Sequence, residues 1–411
     1  MTWLKSLGSL IPNLLRACLP CANVNQQSPW ADDLPLDIWK MILERLSQPD
    51  DLTRFRCVCR SWRYSIVSSV IKEIYHRLSR RQIPWLTPTK PNDAASNLRR
   101  FYSPSVHRIY NLRLPEARSC GSSHGWLAML SPTNGMFLLN PISGCLIPLP
   151  PLWMGSCTPD SYAFDPNWYS DEYKLEEFIK KVTLSCSPAD GNGSDCVALA
   201  IYHRGTDVTF ARPGDRAWSV VHLHELYTCR FQDAVYFRGK FYGVMIDGRL
   251  MTFDIQKNHA RAKHLGNHLS VGRLCDDRYL VESSSGDLLQ VYGYPLDRRN
   301  SVEFPRARFW VLKFDTDRSM WIELRSLGDQ TLFLSCCASV SVRAPDGGEC
   351  RKNCIYFTGG GSEYAFNVGD IGLRRGVGVF SLEEGSIQSV GEYGPYLFHL
   401  SSPLWIMPNL C

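Results

Sequence analysis

What most constrains this chain is a rhythm. From Ser119 onward, short apolar runs of β type alternate with Gly, Asp or Asn turns. Trp126 to Leu130 leads through Pro132-Thr133-Asn134-Gly135 to Met136 to Leu139. Ala234 to Phe237 leads through Arg238-Gly239-Lys240 to Phe241 to Ile246, and then through Asp247-Gly248 to Leu250 to Phe253. The same order returns at Tyr279 to Glu282, Ser285-Gly286-Asp287 and Leu288 to Tyr294, and at Cys354 to Thr358, Gly359-Gly360-Gly361 and Val377 to Leu382. Short runs joined by Gly-containing turns predict one antiparallel hairpin after another. Sets starting near Gly125, Tyr162, Cys196, Ala234, Tyr279 and Cys354 lie mostly about 35 to 50 residues apart, the spacing of four-stranded blades. About 290 residues at ~40 to 50 per blade predict a β-propeller of six or seven blades over 119–411, a form that leaves few sheet edges exposed. A pair of β-sandwiches is the alternative. Trp126, Trp218, Trp310 and Trp321 fall where a large ring fills the wedge between neighbouring sheets.

The first part of the chain has a different grammar. Residues 29–82 read as a small helical domain of three short helices, with 1–28 as a disordered leader ahead of it. Pro35 suits a first helical turn, Asp32 and Asp33 lie on the side the helix dipole favours, and Ile38, Ile42 and Leu46 recur at four-residue spacing. Leu52 and Phe55 mark a second helix, and Val58, Trp62, Ile66 and Val67 a third. About 40 residues is close to the least that stands alone, yet the helices carry apolar residues on more than one face, so a partner is expected to cover the surplus. Residues 83–118 hold Pro84, Pro88, Pro91, Pro104 and Pro115 among basic and polar residues and read as a basic linker.

Composition narrows the function classes. A 411-residue chain that is 44% apolar and 21% charged is folded over most of its length. No window reaches the ~20 uninterrupted apolar residues of a membrane helix, so no transmembrane segment is expected. Residues 1–118 carry 18 Lys/Arg against 9 Asp/Glu, and the remainder 27 against 31. A basic first part fits contact with an acidic partner protein, whereas stacking aromatics are too sparse there for a nucleic-acid groove, so no nucleic-acid partner is expected. The sixteen cysteines are scattered without pairing rhythm, as suits reduced thiols in the nucleus and/or cytoplasm. Cys18 and Cys21 form a C-x-x-C with neither the second pair of a zinc ribbon nor a redox βαβ context.

Two stretches carry a resemblance. Leu34-Pro35-Leu36-Asp37-Ile38, Ile42-Leu43-Glu44-Arg45-Leu46 and Asp51 to Arg63, with Val58-Cys59-Arg60-Ser61-Trp62, strongly resemble an F-box. That family docks on the Skp-type adaptor of a cullin-RING ubiquitin ligase, and the resemblance implies adaptor contacts by Leu34, Pro35, Ile38, Ile42, Leu46, Leu52, Val58, Cys59 and Trp62. Gly121 to Leu127, Leu139 to Gly144 with Ile147 to Pro150, Arg212 to Trp218, Phe309 to Leu334 and Asn353 to Phe357 resemble the plant F-box proteins whose C-terminal region is domain of unknown function 295, the KIB-like propellers. The implied fold is α plus all-β: a three-helix F-box, then a propeller of kelch-like architecture without regular kelch double-Gly or Trp-Asp marks.

Motifs for chemistry do not complete. Gly121-Ser122-Ser123-His124-Gly125 satisfies G-x-S-x-G, but a serine-hydrolase elbow needs a helix after the Ser, and Trp126 to Leu130 reads as a strand. Gly359-Gly360-Gly361 lacks the Lys and Ser/Thr of a phosphate loop. His222, His224, His259, His264 and His268 lack acidic partners at metal spacing. No catalytic residue, metal or cofactor is therefore expected. The expected function is substrate receptor of an SCF-type ligase, binding the adaptor and, through it, cullin and RING protein, with an unnamed target on the propeller. The alternatives are a propeller enzyme or ligand binder, and an organelle- or membrane-associated interaction protein that retains an F-box.

Overall fold

The computed structural model describes residues 82–88, 97–132, 135–151, 179–189, 195–202, 205–221, 223, 230–256, 260–265, 277–295, 307–345, 350–358, 377–389 and 403–409, with Ile38, Met41, Ile42 and Arg45. The chain divides into two compact units, Met1–Gln82 with Pro408–Leu410, and Ile83–Met407 with Cys411.

Among the described residues, the larger unit holds six sheets. The first holds β1 (Trp85–Pro88), β2 (Leu98–Ser103) and β3 (Arg108–Arg113), completed by Pro403–Ile406 from the far end of the chain. The second is β4 (Arg118–Ser123), β5 (Trp126–Leu130), β6 (Met136–Leu139) and β7 (Leu146–Leu149). The third is β8 (Ile179–Leu184), β9 (Ala198–Tyr202), β10 (Asp207–Ala211) and β11 (Ser219–Val220). The fourth is β12 (Phe231–Phe237), β13 (Lys240–Met245), β14 (Leu250–Ile255) and β15 (Ala260–Leu265). The fifth is β16 (Asp277–Glu282), β17 (Leu288–Pro295), β18 (Ala307–Asp315) and β19 (Met320–Leu324). The sixth is β20 (Gln330–Ser335), β21 (Ala338–Arg343), β22 (Cys354–Thr358), β23 (Val377–Ser381) and β24 (Ser386–Ser389), and Pro403–Ile406 is β25.

Each sheet contributes one terminal strand to a central ring. Neighbours meet through β4 with β8, β8 with β12, β12 with β16, β16 with β21, β21 with β25, and β25 with β4, which closes a six-bladed propeller. The core is correspondingly split into six wedges. Leu280 and Leu288 pack toward the fourth blade, while Tyr279, Val281 and Leu289 pack toward the sixth, as strand alternation requires. Trp126 and Trp218 fill the wedge between the second and third blades, and Trp310 and Trp321 the one between the fourth and fifth.

The hairpins follow the sequence rhythm because the turn residues adopt the backbone that a two-residue loop demands. His124 and Gly125 take φ of 52° and 81°, and Arg238 and Gly239 take 44° and 83°. Positive φ at both central positions matches the right-handed twist of the flanking strands.

Four expectations need correction. Residues 83–118 are not a linker: they carry β1, β2 and β3, the greater part of the first blade. Pro88 ends β1, Pro104 opens a single 3-10 turn and Pro115 lies between β3 and β4, so these prolines punctuate strands instead of extending a connector, while Pro91 lies outside the described residues. Between them, Arg99, Phe101 and Tyr102 are buried. Gly125 and Cys196 do not start blades, since β4 and β8 precede them. Cys354 does not either: β22 lies mid-sheet and pairs in parallel with β20, Leu332 opposite Ile355, while β21 turns back to the ring. Tyr162 and Gly359-Gly360-Gly361 lie outside the described residues, as do 1–28 and most of 29–82.

Candidate functional site

In the N-terminal unit, Ile38, Met41 and Ile42 have helical backbone, and the Arg45 N–H donates to the Ile42 carbonyl at 3.1 Å. Ile38 and Ile42 are half-buried and stand one turn apart on one face, while Met41 is exposed. Leu34, Pro35, Leu46, Leu52, Val58, Cys59 and Trp62 lie outside the described residues.

The propeller centre is more fully defined. Three inner strands are bulged near their starts: the pairing shifts between Ser119 and Gly121 in β4, between Ile179 and Lys181 in β8, and between Phe231 and Asp233 in β12. A bulge re-aims the next side chains. It aligns Lys180 with Gln232 and Lys181 with Asp233, and both pairs are bonded, the Lys180 ammonium to the Gln232 amide oxygen and the Lys181 ammonium to Asp233 Oδ1. The Lys181 and Asp233 side chains are 5% and 4% exposed. Asp233 Oδ1 also accepts the Ala234 N–H at 2.7 Å, and Oδ2 accepts the Leu280 N–H at 2.8 Å and the Ser339 hydroxyl at 3.4 Å. One carboxylate thus ties β8, β12, β16 and β21 together. The closeness of the ring shows at Gly121, where a Cβ would stand 2.1 Å from the Val182 carbonyl oxygen, so β4 and β8 approach at a distance that only glycine permits. Sequence reading missed Lys181 and Asp233. Their signal was the Lys-Lys and Gln-Asp dipeptides at corresponding blade positions, visible only once β8 was placed.

A second buried cation joins the first blade to the second. Arg99, fully buried on β2, donates through Nη1 to Ser119 Oγ at 2.6 Å and through Nη2 to the Ala117 carbonyl. Burial lowers its pKa to about 10, which leaves it charged at neutral pH.

The Lys181–Asp233 cluster is mutually satisfied rather than poised to react, whereas Arg99 Nε is buried without a hydrogen-bond partner among the described residues. Ser123 ends β4 and is followed by the turn into β5, so the G-x-S-x-G stretch is strand, turn and strand. Its hydroxyl lies 3.2 Å from Thr183 Oγ1 and accepts the Leu184 N–H at 3.3 Å. Burial pushes the thiols of Cys120 and Cys196 up to about 12, so both stay protonated and inert as nucleophiles. His264 is exposed on β15, whereas His222, His224, His259 and His268 lie outside the described residues. Ser123→Ala is expected to lose about 1 kcal/mol of stability through its hydrogen bonds. The native protein should not be labelled at Ser123 by a fluorophosphonate probe; a covalent adduct there, seen by peptide mass spectrometry, would overturn the reading.

The bladed ring and its spacing find their counterpart among known proteins in the KIB1-4 beta-propeller, which matches residues 101–381. The chain belongs to that family. An F-box domain matches residues 32–74, ahead of the KIB1-4 propeller. Among similar proteins of Arabidopsis thaliana, probable F-box protein At4g22060 is 24% identical over 95% of this chain and 98% of its own length. F-box protein KIB4 is 26% identical over 79% and 81%, and F-box protein SKIP23 is 25% identical over 91% and 94%. The protein is thus an F-box protein with a KIB-type propeller. Among the described residues no helix is long and apolar enough to cross a membrane.

Proposed function

We propose that this protein is a substrate receptor of an SCF-type ubiquitin ligase. The observation that carries the reading is the pairing, in one chain, of an F-box match at 32–74 with a closed propeller that begins at Trp85. Three short helices in 29–82 present Leu34, Pro35, Ile38, Ile42, Leu46, Leu52, Val58, Cys59 and Trp62 to a Skp-type adaptor, and through it to cullin and RING protein. The propeller selects the target protein. The chain itself catalyses nothing and needs no cofactor: holding a target beside the charged conjugating enzyme converts a bimolecular encounter into an effectively intramolecular one. Its work lies in the nucleus and/or cytoplasm, in keeping with thiol rather than disulfide cysteines among the described residues.

The test is co-purification of the full chain with the adaptor. Leu34→Ala combined with Pro35→Ala should reduce recovered adaptor by about tenfold or more, equivalent to ~1.4 kcal/mol or more of lost contact. The propeller's melting transition should not move, because it has its own core. Unchanged adaptor recovery would remove the basis of the reading.

A further inference from the structure

We propose that Cys336 and Cys337 are a redox site, a vicinal dithiol that a hydroperoxide converts reversibly into a disulfide at the turn beside the propeller's closing strand. The two residues are the whole turn between β20 and β21, since Ser335 pairs directly with Ala338. Their sulfurs lie 3.4 Å apart. Cys337 is buried and Cys336 is partly exposed. A two-residue hairpin turn favours Asn-Gly or another Gly pair, so turn geometry gives no reason for two cysteines here.

The environment assigns each sulfur a part. The hydrogen bond with Cys336 and burial hold the Cys337 thiol well above its ordinary range, although Arg118 opposes them. Cys336, the accessible sulfur, therefore attacks, and Cys337 resolves. The Cys336 thiolate takes the terminal oxygen of the hydroperoxide and becomes a sulfenic acid, while the O–O bond breaks and the leaving alkoxide or hydroxide takes up a proton. Cys337 sulfur then displaces the sulfenic hydroxyl, which leaves as water with the Cys337 proton. Two thiols have lost two electrons to one peroxide bond. Adjacent Cα atoms stand ~3.8 Å apart, below the usual ~4.4 to 6.8 Å span of a disulfide, which makes this bond strained and readily reduced. That is the character of a labile, regulatory disulfide.

The site touches the ring closure. Ser335 Oγ donates to the Ala338 carbonyl across the turn at 2.8 Å and accepts the Trp405 N–H of β25 at 3.4 Å. Trp405 Nε1 donates to the Leu334 carbonyl at 3.2 Å. Reshaping the turn therefore acts on the groups that hold β25.

The experiment treats the native full chain with hydrogen peroxide, traps remaining thiols with N-ethylmaleimide, and maps peptides without reduction. The expected result is a peptide containing Cys336 and Cys337 that is lighter by two hydrogens, carries no maleimide, and regains both thiols with dithiothreitol. Cys336→Ser should abolish this species, and Cys120→Ser should leave it intact. Recovery of that peptide with both thiols free and maleimide-modified after oxidation, or with Cys337 joined to a different cysteine, would overturn the proposal. The native-chain result decides the matter even if a variant does not fold.

Discussion

Asp233→Ala is expected to cost the propeller about 3–5 kcal/mol, the usual penalty for removing one partner of a buried ion pair. The loss is larger than the attraction of one pair because the Lys181 ammonium would be left buried at 5% exposure without its carboxylate. The Ala234 and Leu280 N–H groups and the Ser339 hydroxyl would lose their acceptor in the same step. Removing both charges should be much gentler. Lys181→Met with Asp233→Asn leaves no unpaired ion and keeps a side-chain oxygen near Leu280 and Ser339, so the double variant should lie within about 1 kcal/mol of the native protein. Asp233→Asn alone should fall between. Urea melts of the full chain, followed by tryptophan fluorescence of the propeller, would measure all three. A loss below about 1 kcal/mol for Asp233→Ala would mean that Asp233 does not hold the ring.

The contrast between this pair and the hairpins shows which parts of the fold were legible. The turn at Arg238-Gly239 could be read directly because the residues that make it are neighbours in sequence and because few residues tolerate positive φ. Trp126 and Trp321 were likewise legible as wedge fillers from their size and blade position. Lys181 and Asp233 are 52 residues apart, and each looks like an ordinary surface charge until two bulges turn both toward the ring. The first blade was concealed for another reason. Prolines signal a connector when they are counted, but they mark strand ends once the buried positions Arg99 and Phe101 between them are seen. The sixth blade departs from the simple meander, because the β20 and β22 pairing is parallel and neighbours in space are not neighbours in sequence. In the F-box stretch, Ile38 and Ile42 are helical and half-buried one turn apart, as their four-residue spacing predicted.

Removal of residues 403–411 should have a still larger effect, because β25 is both an inner strand and the seam of the ring. It pairs with β1 over four positions, Trp85 with Ile406 through Pro88 with Pro403. Its Leu404, Trp405 and Ile406 are 0%, 0% and 1% exposed. Without them β1 becomes an open inner edge, and Leu86, Tyr102 and Phe333 lose their cover in the wedge between the sixth and first blades. An unpaired strand edge beside exposed apolar surface is an aggregation template, so the truncated chain should be recovered mainly as insoluble protein. A graded version tests the same argument within soluble protein. Trp405 lies against Phe333 with ring centroids 4.9 Å apart and donates Nε1 to the Leu334 carbonyl. Trp405→Ala should therefore cost about 3–5 kcal/mol, as a cavity the size of an indole does in a packed core. Trp405→Phe keeps part of the ring contact and forfeits the hydrogen bond, leaving the Leu334 carbonyl without that donor, and should cost about 1–3 kcal/mol. The order of melting temperatures should be native, Phe, Ala, with the truncation lowest or insoluble. A truncated chain that melts with the native protein would mean that the ring closes without its last strand, and β25 would then be a surface addition instead of the seam.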